Sequence, residues 1–132
     1  MPAPPDPKPA KHSVAVLVVQ NGNILTVKRP ENDDELPGIW GLPAGTCRQG
    51  ELPEDVVRRI GREKLGVRLE PIGVLATGTQ ERLAYVLKME LFEARLEGVP
   101  KHREWKWAPR SVLRDGQVRG SLCCHLALTL AG

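Results

Sequence analysis

The feature that most constrains this chain lies between positions 45 and 67, where a glycine-opened loop feeds a short helix that ends at another glycine. Gly45 opens the stretch, and Glu51, Arg59, Glu63, Gly66 and Val67 follow it. Pro53 suits the first helical position, where its missing N–H costs nothing, and Glu54 and Asp55 place negative charge in the first turn as the helix dipole prefers. Leu52 would stand at the N-cap and offers no acceptor to the orphan amides there. Val56, Val57 and Ile60 alternate with Arg58, Arg59, Arg62 and Lys64 at helical spacing, and Gly66 can adopt the left-handed conformation that closes a helix. The pattern predicts a helix over 53–65, entered from a loop that faces phosphate.

The chain on either side reads mostly as strands. Ser13 to Gln20 is a near-continuous valine-rich run, the pattern of a strand buried on both faces. Asn21-Gly22 is a two-residue hairpin signal that returns Ile24 to Lys28 as the partner strand. Arg29-Pro30 stops that strand, residues 31–38 read as a solvated loop, and Ile39 to Leu42 is a short strand leading into the glycine. Beyond the helix, Val67 to Ala76 reads as a strand broken at Pro71 and followed by a turn at Thr77-Gly78. Leu83 to Phe92 alternates in the strand manner but is rich in helix formers. Glu97 to Pro100 makes a loop, Glu104 to Ala108 a strand, and Pro109 to Leu113 a helical turn. Ser121 caps a final apolar helix, Leu122 to Leu130. Residues 1–11 are dense in proline with almost nothing to bury and read as a mobile tail, which leaves 12–132 as a single domain.

A chain of 132 residues is long enough for one packed core and too short for two. Its net charge of +3 and isoelectric point near 8.9 suit a small anionic ligand, without the clustered Lys and Arg of a nucleic-acid surface. Cys47, Cys123 and Cys124 contain no CxxC pair, and adjacent cysteines bridge only with strain, which argues against a disulfide framework and for a reducing, cytoplasmic compartment. No segment approaches the length of a membrane span, so a membrane is not an expected partner.

Residues 45–67 resemble the Nudix box, the signature of hydrolases of nucleoside diphosphates linked to another moiety. That box reads glycine, five residues, Glu, seven residues, then Arg-Glu-aliphatic-any-Glu-Glu-any-Gly-aliphatic. The chain matches it at Gly45, Glu51, Arg59, Glu63, Gly66 and Val67, and departs from it at Ile60, Gly61 and Lys64. The resemblance implies an α+β fold, the Nudix α/β/α sandwich with a mixed sheet between helices, and it tips Leu83 to Phe92 towards strand. It also implies a Nudix-type hydrolase that cleaves a pyrophosphate bond of a nucleoside diphosphate derivative by water attack, with Mg2+ or Mn2+. The alternative is a non-catalytic module of the same fold that binds a phosphorylated ligand. A homodimer is compatible with both.

The family's metal glutamates fall at positions 60, 63 and 64, which project from one helix face because they are three and four residues apart. Here Ile60, Glu63 and Lys64 leave that face neutral, so the resemblance implies an altered and weakened metal site. Glu63 is the surviving metal position, joined by the carbonyl of Gly45; its plainer reading is a surface carboxylate paired with Arg59. Glu51 and Arg59 resemble the pair that ties the loop to the helix. Glu104 stands near where relatives supply a late carboxylate, or is a solvated strand residue. Glu54 and Asp55 read as helix-start charges and Glu81 as an exposed loop charge. Lys64, with Arg62 or Arg29, suits phosphate binding as a point charge, or else is a solvated helix-end lysine. Trp40 would stack a base or pack in the core, and Trp105 and Trp107 point the same way on their strand. Cys47, Cys123, Cys124 and His125 hold the elements of a zinc site, against which the vicinal pair argues; buried thiols are the plainer reading.

Overall fold

The computed structural model describes residues 8–33, 35–101 and 104–130. Met1 to Pro7, the larger part of the expected tail, lie outside the described residues. The ladder starts inside the remainder of that stretch. Ala10–Leu17 (β1) pairs from Ala10 onward with Val86–Glu97 (β7), and the Pro9 carbonyl already accepts from the Val86 amide. A polar sequence joins the sheet here because the bonds are main-chain bonds and ask nothing of the side chains.

β1 and β7 run parallel at the centre of a four-stranded sheet ordered β5-β1-β7-β6, with Ala44–Thr46 (β5) and Arg68–Glu81 (β6) antiparallel on its edges. The sheet is therefore mixed. A second sheet is built on Asn23–Lys28 (β3), which pairs with Val19–Gln20 (β2), Trp40–Gly41 (β4) and Trp105–Ala108 (β8). The valine run thus serves both sheets, breaking between Leu17 and Val19, and the hairpin turns with positive φ at Asn21 and Gly22 as a two-residue loop requires.

Alternation along β1 divides the interior in two. Val14 and Val16 face a cluster with Val56, Val57, Ile60, Leu65 and Phe92, while Ala15 and Leu17 face one with Leu87, Met89, Leu91, Leu122 and Leu126. The first cluster is closed by Pro53–Arg59 (α1) and the second by Leu122–Leu128 (α3), giving helices on both faces of the sheet. A 3-10 turn, Arg110–Leu113, leads into Arg114–Val118 (α2), a helix with no sequence signal.

Three expectations are corrected. β6 does not break at Pro71 or turn at Thr77-Gly78: it absorbs the proline with register shifts, and Gly78 pairs with Met89 in the ladder, where its missing side chain leaves room for Leu126 of α3, which a Cβ would meet at 2.9 Å. The turn falls instead around Arg82 to Tyr85, which leaves Leu83 almost wholly exposed and starts β7 at Val86. Residues 31–38 are not simply solvated, since Leu36 and Ile39 are buried and the Asp33 carboxylate accepts from the Glu35 and Leu36 amides.

The helix of the signature stretch is continuous, but it changes register at Arg59. Ile60–Leu65 is a π-helical turn, closed by Gly66 at φ 69°, whose N–H bonds the Gly61 carbonyl. Gly61 explains why its site admits no side chain: a Cβ would lie 2.9 Å from the Val67 carbonyl oxygen and 3.0 Å from the Leu69 amide nitrogen, both main-chain atoms that cannot step aside. Replacing Gly61 by Ala should therefore destabilise the fold by about 1–3 kcal/mol despite alanine's better helix propensity, as overpacking does. Denaturant unfolding measures this, and an unchanged or raised midpoint would refute the close-approach account.

Candidate functional site

The loop between β5 and α1 is fixed to the helix by one buried guanidinium. Arg59 donates from Nε to Glu51 Oε2 at 2.7 Å and from Nη2 to Glu51 Oε1 at 2.9 Å, and Nη2 also reaches the Thr46 carbonyl at 2.6 Å. The Arg48 amide adds a fourth bond to Glu51 Oε1. This bidentate clamp holds the Glu51 carboxyl down to about 2, through Arg59 first and the Arg48 amide second. Asp55, in the first turn of α1, accepts from the amide of Leu52, the N-cap residue, whose own side chain caps nothing.

Positions 60, 63 and 64 do not share one environment. Ile60 is completely buried and packs so tightly on Gly45 that a Cβ at that glycine would stand 3.2 Å from Ile60 Cγ1. Glu63 is half-exposed and turned to guanidinium groups, 3.4 Å from Arg48 and 3.9 Å from Arg59. Lys64 reaches the other way, its Nζ donating to the Ala44 carbonyl at 2.5 Å. The helix thus bonds the carbonyls on either side of Gly45, Ala44 through Lys64 and Thr46 through Arg59.

Lys64 and Gly45 stand on the wall of a cleft of about 320 Å3, a size suited to a small molecule. Leu42, Leu87, Met89 and Leu122 give it an apolar floor. Among the described residues its charged lining is Lys11, Arg29, Lys64 and Arg82 with Asp33 and Glu35. Arg29 pairs with Asp33 at 3.2 Å, while Arg82 donates to Glu35 at 2.5 Å and the Tyr85 hydroxyl donates to Glu35 at 3.2 Å. Both carboxyls are held below their ordinary range, Asp33 chiefly by the Leu36 amide and Glu35 chiefly by Arg82. Lys11 lies over the Tyr85 ring, 5.2 Å from its centroid.

Arg29 and Lys64, of the residues expected to bind phosphate, meet in this cleft, whereas Arg62 lines a separate groove with Arg58, Arg68 and Lys101. Trp40 is outside the cleft lining, and Lys106 covers its ring at 4.2 Å. Glu104 is largely exposed, 3.9 Å from Lys28, and also outside it. Glu81 pairs with Lys8, and Asp55 with Arg58. Trp105 and Trp107 pack together edge to face, partly buried beside the first core cluster. Cys123 and Cys124 are buried, Cys123 hydrogen-bonded with Ser121, and no group of three metal-ligating side chains forms among the described residues. Sequence reasoning missed Lys11, Arg82 and Tyr85. Lys11 fell in the stretch read as tail, and the other two flank the turn between β6 and β7, whose contact with Glu35 is set by tertiary packing.

The comparisons with known proteins bear on this geometry directly. A model of the NUDIX domain matches residues 10–121. The chain belongs to the NUDIX family. The nucleoside triphosphatase NudI of Enterobacter sp. (strain 638) is 39% identical over 57 residues, 43% of this chain and 40% of that protein, so the match spans less than half of the curated relative. Among solved structures, the MutT protein of Methanosarcina mazei Go1 superimposes with a TM-score of 0.70 at 24% identity, covering 82% of this chain and 83% of that one. A NUDIX hydrolase from Nitrosomonas europaea gives 0.73 at 16% identity, over 93% and 87% of the two chains. These two likenesses are of fold. No helix among the described residues is long and apolar enough to cross a membrane.

Nudix hydrolases generally use divalent metals such as Mg2+ or Mn2+. The residues here do not fit such an ion at the box helix. Magnesium asks for hard oxygen ligands in near-octahedral array, whereas the three box positions of this helix offer a buried isoleucine, a carboxylate facing two arginines, and a lysine.

Two outcomes check this site. The Glu51 carboxyl is depressed from 4.5 to about 2, so the clamp's stabilisation is complete above about pH 4.5 and is lost as pH falls through about 2. The melting-temperature gap between the natural chain and Glu51→Gln should narrow across that window, and a constant gap would show that the clamp does not titrate. Ile60→Glu should destabilise by about 3 kcal/mol or more, because the carboxylate would be buried without a partner. Lys64→Glu should cost only about 1 kcal/mol. Equal losses in chemical denaturation would contradict the assignment of one side chain to the core and the other to the cleft.

Proposed function

We propose that the protein is a Nudix-type hydrolase of a nucleotide-derived pyrophosphate, with an altered cation arrangement at the phosphates. The observation that carries this reading is the position of Lys64: it projects from the box helix to the Ala44 carbonyl, on the wall of a cleft that joins an apolar floor to a cationic lining. Leu87, Met89 and Leu122 offer a surface for base or sugar, Tyr85 edges it, and Arg29 and Lys64 suit the oxygens of a diphosphate. The nucleoside triphosphatase NudI, to which part of the chain is similar, supports a nucleotide as the substrate class.

Transfer of a phosphoryl group to water asks little covalent chemistry of a protein; positioning and neutralising the phosphoryl oxygens account for most of the acceleration. We assign that neutralisation to Lys64 and Arg29. Glu63, turned to Arg48 and Arg59, is assigned to holding the loop and not to taking a proton from water. A second reading, ligand binding without turnover, is favoured by Ile60, since the family's first glutamate position is sealed in the core.

Nucleoside triphosphates and nucleoside diphosphate derivatives, incubated with the chain in Mg2+, Mn2+ or EDTA and followed by chromatography, test the proposal. The expected result is turnover of at least one nucleotide, slowed at least about tenfold by Lys64→Met, as removal of a group that stabilises the transition state does. Binding without turnover under every condition would leave the second reading.

A further inference from the structure

We infer that Glu35 reads the base of the bound nucleotide, accepting a hydrogen bond from an exocyclic amino group and so selecting amino-bearing bases over those that present a carbonyl at that edge. The inference rests on reading the cleft as the nucleotide site, and goes beyond it by naming the part of the substrate that the end of the cleft away from the box loop recognises.

The first support is how this carboxylate is held on the cleft wall. Asp33 accepts from the Glu35 amide and fixes the main chain of the loop. The Glu35 side chain then meets two donors from the turn between β6 and β7, Arg82 Nη1 at Oε2, 2.5 Å away, and the Tyr85 hydroxyl at Oε1, 3.2 Å away. Arg82 is itself fixed, with Nε on Gln80 Oε1 at 2.6 Å and its main-chain carbonyl accepting from the Lys8 ammonium at 2.8 Å. Each carboxylate oxygen carries two lone pairs, so one donor apiece orients the group and leaves it capacity to accept from a ligand. Arg82 also holds this carboxyl below its ordinary range, which makes it an acceptor without a proton to donate.

The second support is where Glu35 stands along the cleft. The box loop enters at one end, where Ala44 pairs with Ala15 of β1. At the other end Lys11, four residues earlier on the same strand, lies over the ring of Tyr85, the residue that bonds Glu35. Four residues of strand measure about 13 Å, a separation that a nucleoside diphosphate spans from its phosphates to the far edge of its base. Leu87 and Met89, opposite Lys11 and Ser13 on the neighbouring strand, line the interval and give the base an apolar surface. The third support is chemical match. Cytosine presents an amino donor where a pyrimidine of the thymine type presents a carbonyl acceptor, and carboxylates accept from that amino group. An ionised carboxylate attracts the first edge and repels the second.

Calorimetric titration of the full chain with cytidine diphosphate and uridine diphosphate, in Mg2+ and in EDTA, tests this, with inorganic pyrophosphate as the control for the phosphate end. Glu35→Gln and Tyr85→Phe run beside the natural protein, with a melting curve for each. Cytidine diphosphate should bind about tenfold or more tightly than uridine diphosphate, the low end of the range for a hydrogen bond to a charged group, because Glu35 is open to solvent. Glu35→Gln should bring the two affinities together, since an amide offers either its oxygen or its nitrogen, and should leave pyrophosphate affinity where it is. Tyr85→Phe, which removes one of the two orienting donors, should narrow the preference. A preference that survives in folded Glu35→Gln, or a loss of pyrophosphate affinity in that variant equal to its loss of cytidine diphosphate affinity, overturns the inference. Should Glu35→Gln fail to fold, the natural chain and Tyr85→Phe decide. Equal affinities for the two diphosphates in the natural chain overturn this inference and leave the nucleotide reading of the cleft standing; binding of neither removes both.

Discussion

The structure depends on the bidentate contact between Arg59 and Glu51. A guanidinium buried in a protein interior is costly unless its donors are matched, and here two go to one carboxylate and another to the Thr46 carbonyl. The consequence is geometric. The chain leaving β5 is tied to the helix by this contact, while Ala44, Gly45 and Thr46 are also held by their ladder with β1 and by the packing of Gly45 on Ile60. Lys64 can reach the Ala44 carbonyl only because that carbonyl is held where it is.

The helix is held from its other side by close approach. Gly61 lets the π-turn lie directly on the first residues of β6, and Ile60 fills the space beside Gly45. The two small residues and the isoleucine form a coherent set: a glycine on the strand accepts the larger side chain on the helix, and a glycine on the helix accepts the main chain of the next strand. A carboxylate at position 60 would enter the same space without water or a partner. The departures from the family box at Ile60 and Gly61 are therefore connected by packing.

The cleft draws on parts of the chain far apart in sequence. Lys11 comes from β1, Arg29 from the end of β3, Lys64 from the box helix, and Arg82 and Tyr85 from the turn between β6 and β7. The contact of Glu35 with Arg82 and Tyr85 joins the loop after β3 to that turn across the cleft. Among the described residues the cleft thus combines four cationic side chains with an apolar floor.

Much of this was legible in the chain. The spacing of Gly45, Glu51, Arg59 and Gly66 determined the loop, the helix and its stop, because each depends on local backbone geometry and on a contact only eight residues long. The valine run and the Asn21-Gly22 turn determined β1 and the hairpin for the same local reason. What the tertiary structure decided was which side chains meet. Glu63 and Lys64 are neighbours in sequence yet face different surroundings; Arg62 and Lys64 are two apart and line different grooves; Gly78 looks like a turn residue and is held in a strand by pairing with Met89. Those outcomes depend on contacts across the parallel β1/β7 pair and between the two faces of the sheet, and no periodicity within a single segment encodes a distance to another.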